Sequence, residues 1–169
     1  FEKKLTNYTK AKYCAAVNSA TSALHLACMS LGLKKNEHVW TVSNSFVATA
    51  NCAKLCKATV SFIDIDLETY LIDLDKLREN LFIAKKKKKL PKILITVHLG
   101  GQPTIQEEIK KLSNKYNFKI IEDASHSLGS RRNNEPVGSC RFSDVTIFSF
   151  HPVKMITTGE GGAVLTNNY

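Results

Sequence analysis

The sequence predicts an α/β fold of three layers, with helices on both faces of a mainly parallel, seven-stranded sheet. Two observations carry this. Short apolar runs rich in β-branched and aromatic residues alternate with helical patterns along the whole chain, the order of a layered α/β domain. Several of those runs are apolar almost without a break, as strands buried on both faces must be.

In chain order, strands are expected at YCAAV (13–17), HVWTV (38–42), TVSFIDI (59–65), KILITVH (92–98), FKIIED (118–123), VTIFSF (145–150) and GAVLT (162–166). After the first strand, Ala20, Ala23, Leu24, Ala27, Cys28 and Leu31 recur at helical spacing. A further helical segment leads into lysines 85–89. Ile105, Ile109, Leu112 and Tyr116 repeat the spacing behind Thr104 and Glu107, whose separation suits a capping box. There is no internal repeat and no linker, so residues 1–169 read as one domain. A chain that opens on Phe1 and stops at Tyr169, just after a strand, reads as a piece of a longer one, incomplete at both ends.

Composition narrows the classes of function. Hydrophobic content is 43% and charged content 23%, as in soluble globular domains. No apolar run approaches the ~20 residues of a membrane helix, so no membrane partner is expected. The net charge is +9, but lysines 85–89 supply five of those charges. They read as a solvated helix end and loop. Nucleic-acid binding calls for basic residues spread over a face, so no nucleic-acid partner is expected. The cysteines, Cys14, Cys28, Cys52, Cys56 and Cys140, are odd in number and contain no CxxC. Cys52 and Cys56 lie one helical turn apart with no second pair to complete a zinc site. They read as reduced, mostly packed thiols of a cytoplasmic protein.

In open α/β sheets, ligands gather past the carboxyl ends of the strands. Five stretches occupy such positions: residues 18–22, 43–46, 98–102, 123–126 and 149–154. NSATSALHLA passes from a strand straight into a helix with a hydroxyl-rich first turn. Its free N–H groups, the helix dipole, and the side chains of Thr21 and Ser22 suit an anion such as phosphate. Simple N-capping by a hydroxyl is the plainer alternative, and the stretch lacks the Gly-Lys-Ser/Thr ending of a Walker loop. In SNSFVATAN, Phe46 suits either the core or a wall against a flat ligand. FKIIEDASHSLG ends a strand on Asp123, with His126 three residues on, too few ligands for a metal. In SFHPVKMITTGEGG, Ser149 ends a strand and Lys154 follows with no acidic residue nearby until Glu160. A lysine withdrawn from water loses charge stabilisation and becomes a nucleophile toward carbonyls. Gly159, Gly161 and Gly162 permit a tight backbone path near a ligand. They are no dinucleotide fingerprint, because GxGxxG would need a glycine where Val164 stands.

A phosphate cradle, an aromatic wall, a strand-end carboxylate and a masked amine together match the needs of pyridoxal phosphate. The amine takes the aldehyde, and the carboxylate keeps the ring nitrogen protonated.

The segments NSATSALHLA, SFVATAN, HLGGQP, IIEDASHSLGS and FSFHPVKMITTGEGGAVLTN, in this order and spacing, resemble the DegT/DnrJ family of sugar-nucleotide aminotransferases over essentially the whole chain. The resemblance implies the large, pyridoxal-phosphate-binding domain of the type I aminotransferase fold. It implies further residues before Phe1 and a smaller domain after Tyr169. By position it makes Lys154 the lysine that holds the cofactor and Asp123 the partner of the pyridine nitrogen. His126 falls where the family contacts the ring hydroxyl. Thr21, Ser22 and Ser149 fall on phosphate ligands, and Phe46 on the stacking aromatic. A dehydratase branch has histidine where Lys154 stands, so transamination is implied. The branch resembled most serves pseudaminic-acid biosynthesis. It transfers an amino group from glutamate to C4 of a UDP-linked 4-keto-6-deoxy N-acetylhexosamine, for flagellin glycosylation. A homodimer is implied for the full-length protein, and an inactive or weakly binding piece for this length alone. The rival readings are a non-catalytic remnant of the same fold, a basic nucleic-acid-binding domain and a nicotinamide enzyme.

Overall fold

The structure, a computed structural model, describes residues 1–168. Tyr169, the last residue of the expected domain, lies outside the described residues. The elements run α1 (Glu2–Thr9), β1 (Tyr13–Val17), α2 (Ala20–Ser30), β2 (His38–Val42), α3 (Ala48–Leu55), β3 (Thr59–Ile63), α4 (Leu74–Lys86), β4 (Ile93–Val97), α5 (Gln106–Tyr116), β5 (Lys119–Asp123), β6 (Arg131–Arg132), β7 (Glu135–Pro136), β8 (Val145–Ser149) and β9 (Gly162–Thr166). A 3-10 turn, Leu99–Gly101, follows β4.

Seven strands form one sheet in the order β1-β9-β8-β5-β4-β2-β3. β3, β2, β4, β5 and β8 are mutually parallel, and β9 runs antiparallel to both its neighbours, β8 and β1. All seven expected strands are present. Four are shorter than the apolar runs suggest: β3 ends at Ile63, β4 spans 93–97, β5 starts at Lys119 and β8 ends at Ser149. His98, for instance, turns out of the strand with φ −88° and ψ 70°.

Side-chain alternation along the strands sorts the core into two faces. On one face Val39, Ile93, Ile95, Ile121, Val145 and Ile147 pack against Ala23, Leu24, Ala27 and Cys28 of α2 and Ala48, Cys52 and Ala53 of α3. The small residues let these two helices approach closely. On the other face Trp40, Val42, Leu94 and Ile120 meet Leu77 and Leu81 of α4 and Ile109 and Tyr116 of α5. A third cluster seats Leu5 of α1 against Phe148, Phe150 and Leu165. Helix starts follow side-chain chemistry. Ser19 caps α2 in an extended conformation, and the Asp73 carboxylate accepts the N–H groups of Asp75 and Lys76 at the head of α4.

The capping box expected at Thr104 and Glu107 does not form. α5 begins behind Ile105 with no side-chain cap. The Thr104 N–H goes instead to His98 Nδ1, and Glu107 pairs with Arg132. Ile105, expected on the buried stripe, is exposed. Lysines 85–89 are exposed at the end of α4 and in the loop beyond it. The five cysteines are free thiols, three of them buried.

Candidate functional site

Parallel neighbours place the ends of β5 and β8 side by side, with Asp123 opposite Ile147. Residues 121 and 123, like 145, 147 and 149, point to the α2/α3 face, because alternate residues share a face. There, past the strand ends, lies a cavity of about 290 Å³. Its lining includes Ser19, Thr21, Phe46, Asp123, His126, Ser149 and Lys154. Six of the seven sequence candidates thus converge from four separate segments. Ser22 is the seventh. It is not among the lining residues: its hydroxyl accepts from Ser19 Oγ at 3.1 Å, and its N–H donates to Ser19 Oγ at 3.1 Å.

The first turn of α2 owes its position to Gly162. This residue pairs with Val17 on one side and Ser149 on the other. A Cβ there would fall 2.4 Å from the Ser19 carbonyl carbon and 2.6 Å from Ala20 N. Only glycine lets the helix start settle onto the ends of three strands. That leaves the N–H groups of α2, with the positive end of its dipole, beside the cavity.

Asp123 is buried, with 5% of its surface exposed. Its Oδ2 accepts from Thr49 Oγ1 at 2.7 Å, and its Oδ1 accepts from Ser125 Oγ at 2.7 Å and Ser125 N at 3.2 Å. A carboxylate has about four acceptor sites, so these three donors orient it and leave room for one more. Neither Thr49 nor Ser125 was singled out from sequence. The signal for Thr49 was a polar residue on the buried stripe of α3, between Ala48 and Cys52.

Lys154 lies in the loop joining β8 to the antiparallel β9. That loop is bonded to itself: Lys154 N donates to His151 O at 3.0 Å, Thr158 N to Phe150 O at 3.0 Å, and Phe150 N to Gly161 O at 2.9 Å. Partial burial lowers the Lys154 pKa below its ordinary value, and the Asp123 charge opposes that shift. His126 is also lowered, by burial first and then by the Lys154 charge, with Asp123 opposing. Its Nδ1 accepts from Gly100 N at 3.3 Å. His151 and Val153 join the lining without having been expected. Phe46 is 73% exposed and Val153 77%, so the aromatic wall stands at an open rim and not in the core.

What the arrangement offers is a primary amine of reduced basicity, a fixed carboxylate, a helix N-terminus and apolar walls around one space. Comparison with known proteins adds to this. The chain matches the DegT/DnrJ/EryC1/StrS aminotransferase family over residues 1–169. It is 46% identical over 168 residues to UDP-4-amino-4,6-dideoxy-N-acetyl-beta-L-altrosamine transaminase of Campylobacter jejuni subsp. jejuni serotype O:23/36, covering 99% of this chain and 43% of the relative. Among solved structures it superposes on Helicobacter pylori PseC, an aminotransferase involved in the biosynthesis of pseudoaminic acid. There the TM-score is 0.89 and the identity 34%, over 99% of this chain and 43% of that one. It also superposes on NtdA from Bacillus subtilis with bound cofactor PMP, with TM-score 0.87 and 30% identity, over 99% of this chain and 36% of that one. The chain therefore spans well under half the length of these relatives.

Proposed function

The chain belongs to the DegT/DnrJ/EryC1/StrS aminotransferase family, and on that premise we propose that the cavity binds pyridoxal phosphate. In this reading the protein moves an amino group from an amino acid, L-glutamate, to the C4 keto group of a UDP-linked 4-keto-6-deoxy N-acetylhexosamine. The observation that carries the reading is the convergence of Asp123 and Lys154 on one cavity past the strand ends. Residues 1–169 would be the large cofactor-binding domain of a longer, cytoplasmic, homodimeric enzyme.

The residues fit the group. The cavity, at about 290 Å³, is close to the lower end of ordinary small-molecule sites. The N-terminus of α2 with Ser19 and Thr21 suits the phosphate, together with Ser149 and, if its pairing with Ser19 opens, Ser22. Phe46 would lie against the ring, Asp123 would hold its protonated nitrogen, and Lys154 would hold its aldehyde. When bound, pyridoxal phosphate supplies an electron-withdrawing ring that stabilises negative charge on the carbon losing a proton.

Each residue's task follows from its setting. Thr49 and Ser125 fix the Asp123 carboxylate, so one acceptor position is left that would receive the protonated ring nitrogen. Lys154, with its lowered pKa, presents a neutral amine more readily than a solvated lysine does. The same Nζ would serve as the base and acid that moves a proton during amino transfer. His126 offers an N–H to an oxygen on the ring. The similarity to the altrosamine transaminase supports the UDP-sugar acceptor, and that to PseC supports a place in pseudaminic-acid synthesis; the product would then serve flagellin glycosylation.

The test uses the full-length protein carrying this chain. Addition of pyridoxal phosphate should produce a visible absorbance band that borohydride bleaches, and the loaded protein should aminate a UDP-4-keto sugar at C4. Absence of the band would refute the cofactor site. A band with amination of GDP-linked sugars alone would refute the acceptor.

A further inference from the structure

The HLGGQP segment and the acidic residue before Asp123 take no part in the cofactor reading. They meet at His98. Its side chain is sealed from solvent, with Nε2 2.8 Å from Glu122 Oε2. Its Nδ1 accepts the backbone N–H of Thr104 at 3.2 Å. A backbone N–H can only donate, so Nδ1 carries no proton. The ring is then neutral, and its proton sits on Nε2 and is donated to Glu122. The imidazole therefore ties β5 to the far end of the 98–104 loop. The main chain of His98 adds three more ties: its N–H donates to Asp123 O at 3.1 Å, and its carbonyl accepts from Gly101 N at 3.2 Å and Ser127 Oγ at 3.2 Å.

A loop closed this way is pressed against His126. Gly100 and Gly101 take left-handed backbone, with φ 60° and 88°. A Cβ on Gly101 would come within 2.9 Å of the His126 carbonyl oxygen. That approach brings the Gly100 N–H to 3.3 Å from His126 Nδ1. The logic that assigns His98 then assigns His126. An N–H donor on Nδ1 leaves the proton on Nε2, which has no hydrogen-bond partner among the described residues, in a ring that lines the cavity.

We propose that His98, held by Glu122 and Thr104, is a positioning residue that fixes His126 as a neutral Nε2–H donor in the cavity. The ligand group it serves is an oxygen acceptor. Identifying that oxygen with one on the pyridine ring rests on the cofactor reading; the rest of the inference does not.

Long-range ¹H–¹⁵N spectra of the histidine rings, with amide hydrogen exchange, test it without any cofactor. The unliganded protein should show His98 and His126 as Nε2–H tautomers. Glu122→Gln, which keeps an acceptor for His98 Nε2, should preserve both. His98→Asn should turn His126 into a mixture of tautomers and speed exchange of the Gly100 amide by about tenfold or more, as expected when a local tie opens. In the full-length loaded protein it should also shift the visible band. The wild-type spectrum alone overturns the proposal if His126 carries its proton on Nδ1, whether or not the variants fold. A folded His98→Asn with His126 still purely Nε2–H and Gly100 exchange unchanged overturns it equally. Unchanged ring spectra on adding pyridoxal phosphate would refute the cofactor reading and leave the positioning role of His98 standing.

Discussion

Glu122 and Asp123 are consecutive, both nearly buried at the end of β5, and the sheet sends them to opposite faces. On the α5 side, Glu122 meets a donor from within the protein, the His98 ring, at 2.8 Å. On the α2/α3 side, Asp123 receives three donors and still borders an open cavity with Lys154 across it. The pair shows how to separate two kinds of buried carboxylate. One is satisfied internally and holds backbone in place; the other is oriented internally and kept available. Burial alone does not distinguish them. What does is what each faces: Glu122 the His98 ring, Asp123 a cavity that Lys154 also lines.

The largest expected break falls on the open side. Lys154→Ala in the full-length protein should abolish amination while the far-ultraviolet spectrum stays that of the wild type, because the residue is in a loop with no core contacts to lose. Asp123→Asn should keep cofactor binding but slow half-transamination by about 10²-fold or more, since the preorganised charge proposed to face the ring nitrogen would be gone; single-turnover absorbance reads this directly. Gly162→Ala should cost about 1–3 kcal/mol of stability and weaken phosphate binding, because its methyl collides with the start of α2. Denaturant titration and inorganic-phosphate competition would show both.

On the closed side, Glu122→Leu should cost about 1–3 kcal/mol by orphaning a buried His98 N–H, measured as a lower urea midpoint at unchanged slope. Thr49→Val removes one donor from Asp123 and should slow half-transamination by up to about tenfold, in line with one hydrogen bond and less than Asp123→Asn, as single-turnover absorbance would show. The smallest effect concerns pH. His126 titrates below its ordinary 6.5 in the folded state, so the unfolded chain binds more protons just below that pH. Stability should therefore fall as pH drops through 6.5 and level off below the folded value. His126→Gln should flatten that part of the urea-midpoint profile, and an unchanged slope would mean His126 is not the group responsible.

All seven sheet strands were legible because buried parallel strands are apolar on both sides and stand out from their surroundings. Their ends were not, since the exit of β4 depends on what His98 bonds to. The capping box failed for the same tertiary reason: Thr104 N–H serves His98 before it can serve α5. The short β6–β7 hairpin was overlooked although it carried a signal. Asn133 and Asn134, both at positive φ, are the residues that tight hairpin turns favour. At the site, Lys154, Asp123, His126, Phe46, Thr21 and Ser149 stood at strand ends or helix starts, where position along the chain predicts position in space. Thr49's role did not show itself, because a hydroxyl's partner across 74 residues has no mark in local spacing; Ser125 is only two residues from Asp123, but its bond depends on how the chain turns after β5. The exchange between Ser19 and Ser22 hydroxyls is likewise settled only once the turn is built.

The central claim is that Lys154 and Asp123 make one cavity the seat of pyridoxal phosphate. The most direct measurement is borohydride reduction of the full-length protein with the cofactor, followed by proteolysis and mass mapping of the modified residue. The account predicts a single labelled peptide carrying the cofactor on Lys154, lost in Lys154→Ala and retained in Asp123→Asn. Label on another lysine with Lys154 unmodified would contradict it.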